Sequence, residues 1–84
     1  MTIDEASRVA IACSTADRGC RKCVGDLFEI LNLEFSDFEF AFDPQTRIAY
    51  HQVEDGLILC LEDEELCEED HVRGFATTVK RRVQ

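Results

Sequence analysis

The spacing of apolar residues changes period in the middle of this chain, and that change limits what it can fold into. Cys20, Cys23, Val24, Leu27, Phe28 and Leu31 recur at three- and four-residue intervals, which places them on one stripe of a helix. A few residues later Phe38, Phe40 and Phe42 alternate, which places them on one face of a strand. A chain that passes from one period to the other over so short a distance is an α+β protein.

The first residues strengthen the helical half. Thr2 and Glu5 have the spacing of a capping box, in which the hydroxyl accepts from the backbone N–H of the third residue on and the carboxylate reaches back. Ile3, Ala6, Ala10 and Cys13 follow at helical spacing, so a helix is expected from about Ile3 to Cys13. Ser14 and Asp17 repeat the capping relation, and a second helix is expected from about Thr15 to Leu31, with Asn32 as its stop. Ala6, Cys13, Cys20 and Leu27 keep a seven-residue rhythm across the junction, so the pair can also be one kinked helix.

In the strand half, "FEFAFD" reads as a first strand and "DPQT" as a type I turn. "RIAYHQV" is then a second strand, "EDG" the tip of a hairpin and "LILCLE" a third strand. The third strand is apolar on both faces, with Leu57, Leu59 and Leu61 on one and Ile58 and Cys60 on the other, so cover from both sides is expected. A last helix is expected from Asp63 onward. Glu64 and Glu65 lie in its first turn, Val72, Phe75, Ala76, Val79 and Val83 form its stripe, and Gly74 weakens it. The expected architecture is a single 84-residue domain in the order α-α-β-β-β-α. In it an antiparallel three-stranded meander is flanked by an N-terminal helix or helix pair and by a C-terminal helix.

A chain of this length buries roughly 60–65% of the surface its unfolded form exposes, so its core is thin. Its apolar runs are too short to span a bilayer, and "MTIDEAS" lacks the basic and apolar regions of a secretory signal. The expected location is therefore cytoplasmic. Five cysteines, an odd number, in a reducing compartment argue against a disulfide framework.

The formal net charge is −9, which disfavours direct contact with nucleic acid or an anionic membrane. The acidity is concentrated between Leu33 and Asp70, where Arg47 is the one basic residue, while Arg18, Arg21, Lys22 and the last residues are basic. This pattern predicts a non-enzymatic acidic module that binds a basic partner protein and inhibits it by mimicking nucleic acid. The carboxylates expected to carry it are Glu39, Asp43, Glu54, Asp55, Glu62, Asp63, Glu64, Glu65, Glu68, Glu69 and Asp70. The plainer reading of the same charge is a solubilising surface.

Two alternatives stand beside it. The two-sided third strand and thin core fit a dimeric escort protein that binds an apolar client segment. The cysteines supply the other. Cys20-x2-Cys23 with Cys67-x3-His71 has thiolate and imidazole donors of the kind zinc takes. Cys20, early in a helix and near Arg18, Arg21 and Lys22, also has the surroundings of a redox thiol. Against both, Cys20 and Cys23 are explained as part of the helical stripe. His51 and His71 sit in no pattern that reads as a triad, and no phosphate-cradling glycine loop occurs. Neither catalysis nor a cofactor is expected.

Overall fold

The computed structural model describes residues 1–54, 56–60 and 71–83. Helix α1 spans Ile3–Ser14, a 3-10 turn spans Ala16–Arg18, and helix α2 spans Arg21–Glu34. Three strands follow: β1 Phe38–Val53, β2 Gly56–Cys60 and β3 His71–Arg81. They form one antiparallel sheet in the order β2-β1-β3.

Helix α1 begins as its sequence dictates. The Thr2 hydroxyl accepts from the Glu5 N–H at 3.1 Å, and the Glu5 carboxylate accepts from the Thr2 N–H at 2.9 Å. These hydrogen bonds hold the Glu5 carboxyl below its ordinary range. The second expected capping box does not form. Ser14 donates instead to the carbonyl of Ile11 and Thr15 to that of Ala12, so both hydroxyls close the end of α1. The chain then breaks, and α2 starts at Cys20 as N-cap.

The expected α-α-β-β-β-α order is not what forms, because the C-terminal element is strand β3 and not a helix. Val72, Phe75, Ala76 and Val79 do recur at helical spacing. However, Phe75, Thr77 and Val79 also alternate, and the stretch is rich in β-branched residues, which fit a pleated surface better than a helix interior. Pairing with β1 decides the matter: Phe38 faces Arg81, Phe40 faces Val79 and Phe42 faces Thr77. The expected helix start at Asp63 lies outside the described residues.

The meander is also replaced. "DPQT" does not reverse the chain, and the two strands expected on either side of it are one strand, β1. The register with β3 jumps between Asp43 and Arg47, so these residues form an irregularity within the strand. Asp43 closes it, accepting from the Gln45 N–H at 2.9 Å and the Thr46 hydroxyl at 2.6 Å. The Asx geometry expected of a turn is present, but it serves a bulge.

The core lies between the helices and the sheet. Ala6 and Ala10 of α1, Val24, Phe28 and Leu31 of α2, Phe38 and Phe40 of β1 and Phe75 of β3 form one buried cluster. The Phe42 ring joins Phe28 and Phe75, with centroids 5.1 and 5.2 Å away. Asn32, expected to stop α2, lies inside it and ties it to the sheet. Its side chain donates to the Phe40 carbonyl at 3.0 Å and accepts from the Phe40 N–H at 2.8 Å. At the other end of the sheet Gly74 permits close packing. A Cβ there would sit 2.8 Å from Ser14 Oγ and 3.0 Å from Tyr50 Cε2. The buried Tyr50 hydroxyl donates to the Phe75 carbonyl at 3.0 Å. Among the described residues, no helix is long and apolar enough to cross a membrane.

Candidate functional site

The junction between α1 and α2 brings reactive side chains together. Ser14 and Thr15 terminate α1, and the chain then makes a left-handed turn through Asp17, Arg18 and Gly19, with φ of 49°, 59° and 80°. Glycine enters this region freely and Asp more readily than most residues, so the strain falls on Arg18. Three contacts hold the turn. The Gly19 and Cys20 N–H groups donate to the Ala16 carbonyl at 3.0 and 3.1 Å. Arg47, reaching from β1, donates to the Gly19 carbonyl at 2.8 Å, with its guanidinium carbon 4.5 Å from the Phe75 ring centroid. Strand β1 thus braces the turn through Arg47, and the turn places Asp17.

The result is a cluster in which the Asp17 carboxylate and the sulfurs of Cys20 and Cys23 all lie within 4.8 Å of one another. Cys23 Sγ is 3.7 Å from Asp17 Oδ2 and donates to it. Asp17 is exposed and both cysteines are half-exposed, so the cluster is open to solvent.

The two thiols differ. Cys20 caps α2, and its pKa is lowered, first by the N–H and thiol of Cys23 and then by the N–H of Lys22. Neither backbone group makes a hydrogen bond of full geometry to the sulfur, so their contribution is that of oriented dipoles. The Cys23 pKa is raised, chiefly by its interaction with the Cys20 side chain, with burial and the neighbouring negative charges adding to the effect. Of the two, Cys20 loses its proton more readily and Cys23 less readily. Cys13 is different again: it packs against the core, and burial raises its pKa.

The structure redistributes the metal set expected from sequence. Cys20 and Cys23 meet, but their partner is Asp17. His71 is not in the cluster. It stands directly opposite His51 on the neighbouring strand, and the Nδ1 atoms of both rings are buried with no hydrogen-bond partner among the described residues. Cys67 lies outside the described residues. Sequence reading missed Asp17 as a donor, although the D-x2-C-x2-C spacing was the available signal.

Among the expected acidic-surface residues, Glu39, Asp43 and Glu54 are described, and all three are exposed. Glu39 faces Lys80 across the strand pair, a pairing of opposite charges. Asp43 is engaged by its own bulge, whose hydrogen bonds from Thr46 and Gln45 lower its pKa. Glu54 borders an open depression of about 490 Å³ with Thr15, Gln52, Val53, Gly56, Leu57 and Val72. Asp55, Glu62, Asp63, Glu64, Glu65, Glu68, Glu69 and Asp70 lie outside the described residues.

Comparison with protein-family models, with curated proteins and with solved structures finds no match to this chain.

Proposed function

We propose that the chain is a thiol–disulfide exchange protein whose working pair is Cys20 and Cys23. This reading departs from the sequence expectation of a non-enzymatic module. The observation that carries it is the convergence of two accessible sulfurs and a carboxylate where α2 begins.

The Cys20 thiolate attacks one sulfur of a client disulfide. A mixed disulfide forms, and the client's second sulfur leaves as a thiolate. Cys23 then gives its proton to the client thiolate that has just left and attacks the Cys20 sulfur. The mixed disulfide breaks, the client's first sulfur leaves as a thiolate, and a Cys20–Cys23 disulfide remains. The client gains two electrons and the protein loses two. Exposed Arg18, Arg21 and Lys22 give the site a local positive character on a chain of net charge −9, which favours clients with acidic groups near the disulfide.

The test is oxidation of the reduced protein with a small aliphatic disulfide, followed by peptide mapping. A Cys20–Cys23 disulfide should form, and quenching early should trap the mixed disulfide on Cys20. Trapping on Cys13 as readily as on Cys20, or a product lacking the Cys20–Cys23 bond, would remove the reading.

A second reading retains the acidic surface. It is favoured by the exposure of Glu39, Asp43 and Glu54 on a strongly acidic chain. Here the protein binds a basic protein partner and occupies its nucleic-acid surface. Binding should weaken steeply with added salt, and affinity that is flat between low and high salt would eliminate it. The escort alternative, in which a second copy or an apolar client segment is the partner, would use side chains such as Ile30 and Leu33 of α2, both exposed.

A further inference from the structure

We propose that Asp17, Cys20 and Cys23 form a binding site for a thiophilic divalent metal ion of the zinc class. The inference goes beyond dithiol exchange and does not depend on it, because ligation requires only that both sulfurs be reduced.

The donor spacing supports it. Zinc holds sulfur at about 2.3 Å and carboxylate oxygen at about 2.0 Å in a tetrahedron, so a bound sulfur and oxygen stand roughly 3.5 Å apart. Cys23 Sγ and Asp17 Oδ2 are already 3.7 Å apart. Two ligated sulfurs would be separated by about 3.8 Å on the same geometry, within the 4.8 Å that bounds this cluster. Little rearrangement is needed, and three protein donors leave one tetrahedral position open to solvent.

Charge and backbone agree with the spacing. Two thiolates and a carboxylate carry one more negative charge than a divalent ion neutralises, and exposed Arg18, Arg21 and Lys22 lie in the same stretch to offset it. Asp17 sits on a left-handed turn that Arg47 braces from β1, and Cys20 and Cys23 sit at the start of α2. Strain like that on Arg18 persists where the surrounding structure holds it, and it clusters at sites that clamp a ligand. The turn is what carries Asp17 to the sulfurs. Without it, this carboxylate would have no structural reason to face Cys23.

The experiment titrates the fully reduced chain with Co2+ and then displaces it with Zn2+. One equivalent of Co2+ should give an intense near-ultraviolet thiolate-to-cobalt band and tetrahedral visible bands, and Zn2+ should abolish both. Cys20→Ser and Cys23→Ser should each remove the sulfur-to-metal band. Asp17→Asn keeps a residue type that tolerates left-handed backbone. It should weaken affinity by at least about tenfold while leaving the circular dichroism spectrum unchanged. Cobalt uptake without the sulfur band, or a band that survives both serine variants, would overturn the site. Affinity unchanged in Asp17→Asn would overturn the three-donor assignment. Disulfide mapping of the unsubstituted chain and of Asp17→Asn, which both keep the two thiols, separates the two readings. Metal binding without a Cys20–Cys23 disulfide supports ligation and removes exchange, and a disulfide without metal binding does the reverse.

Discussion

Below α2, the first part of β1 presents Phe38, Phe40 and Phe42 to Phe28, Leu31 and Val24, and aromatic burial holds the two elements together. The α1–α2 junction contains no such cluster. It is held by carbonyl hydrogen bonds, one arginine and Gly74 of β3, which lets Ser14 and Thr15 lie close to the sheet. The first region spends apolar surface on stability. The second carries strained backbone and half-exposed thiols, which a chain optimised only for stability would not keep. The contrast indicates where to look for function: at the corner that the core supports but does not fill.

The contrast can be broken most forcefully at Phe28. Phe28→Ala should cost about 3–5 kcal/mol in urea unfolding, because it removes a buried ring from the aromatic cluster. In the fraction that remains folded, the alkylation rate of Cys20 should be unchanged; a changed rate would show that the two regions are not separable. Arg47→Met is the sharper test, since Arg47 touches both regions. Loss of its contact with Phe75 and of its hydrogen bond to Gly19 should cost roughly 1–2 kcal/mol. It should also loosen Asp17, and so weaken metal binding and slow closure of the disulfide. The smallest effect on stability belongs to Cys20→Ser, within about 0.5 kcal/mol at this half-exposed position. Its effect on reactivity should be the largest.

The pH profile has a definite sign. The Cys20 pKa is lowered, so its alkylation should persist to lower pH than that of a free thiol, whereas Cys23 should begin to react only at higher pH. The two residues can be read separately by quantitative mass spectrometry. Coincident profiles would show that the helix start does not distinguish them.

How much of this was legible depended on whether the deciding interactions were local. The start of α1 was, because Thr2 and Glu5 determine it between themselves. Helix α2 was legible along its regular stripe but not at its start, expected near Thr15 and found at Arg21 because Ser14 and Thr15 close α1 instead. Strand β3 was not. Its threonines count as polar on a helical wheel yet suit a strand, and the partner that resolves the ambiguity, β1, is remote in sequence. "DPQT" carried real turn chemistry, but whether such a motif reverses a chain or bulges it depends on which strand lies alongside. At the site, the Cys20–Cys23 spacing was visible and the role of Asp17 was not. A left-handed turn through two non-glycine residues has no sequence signature when Arg47 of β1 is what braces it.

The pairing of Phe38 with Arg81 has a consequence for the order in which the molecule assembles. During synthesis, the helices and β1 are complete well before residues 71–81 exist, and for that interval the long edge of β1 has no neighbour on its β3 side. Registration of the sheet therefore waits on late contacts between distant parts of the chain, a topology that folds slowly compared with a helical bundle of equal length. Until that last strand docks, the nascent protein carries an unzipped seam to which any extended peptide nearby could attach.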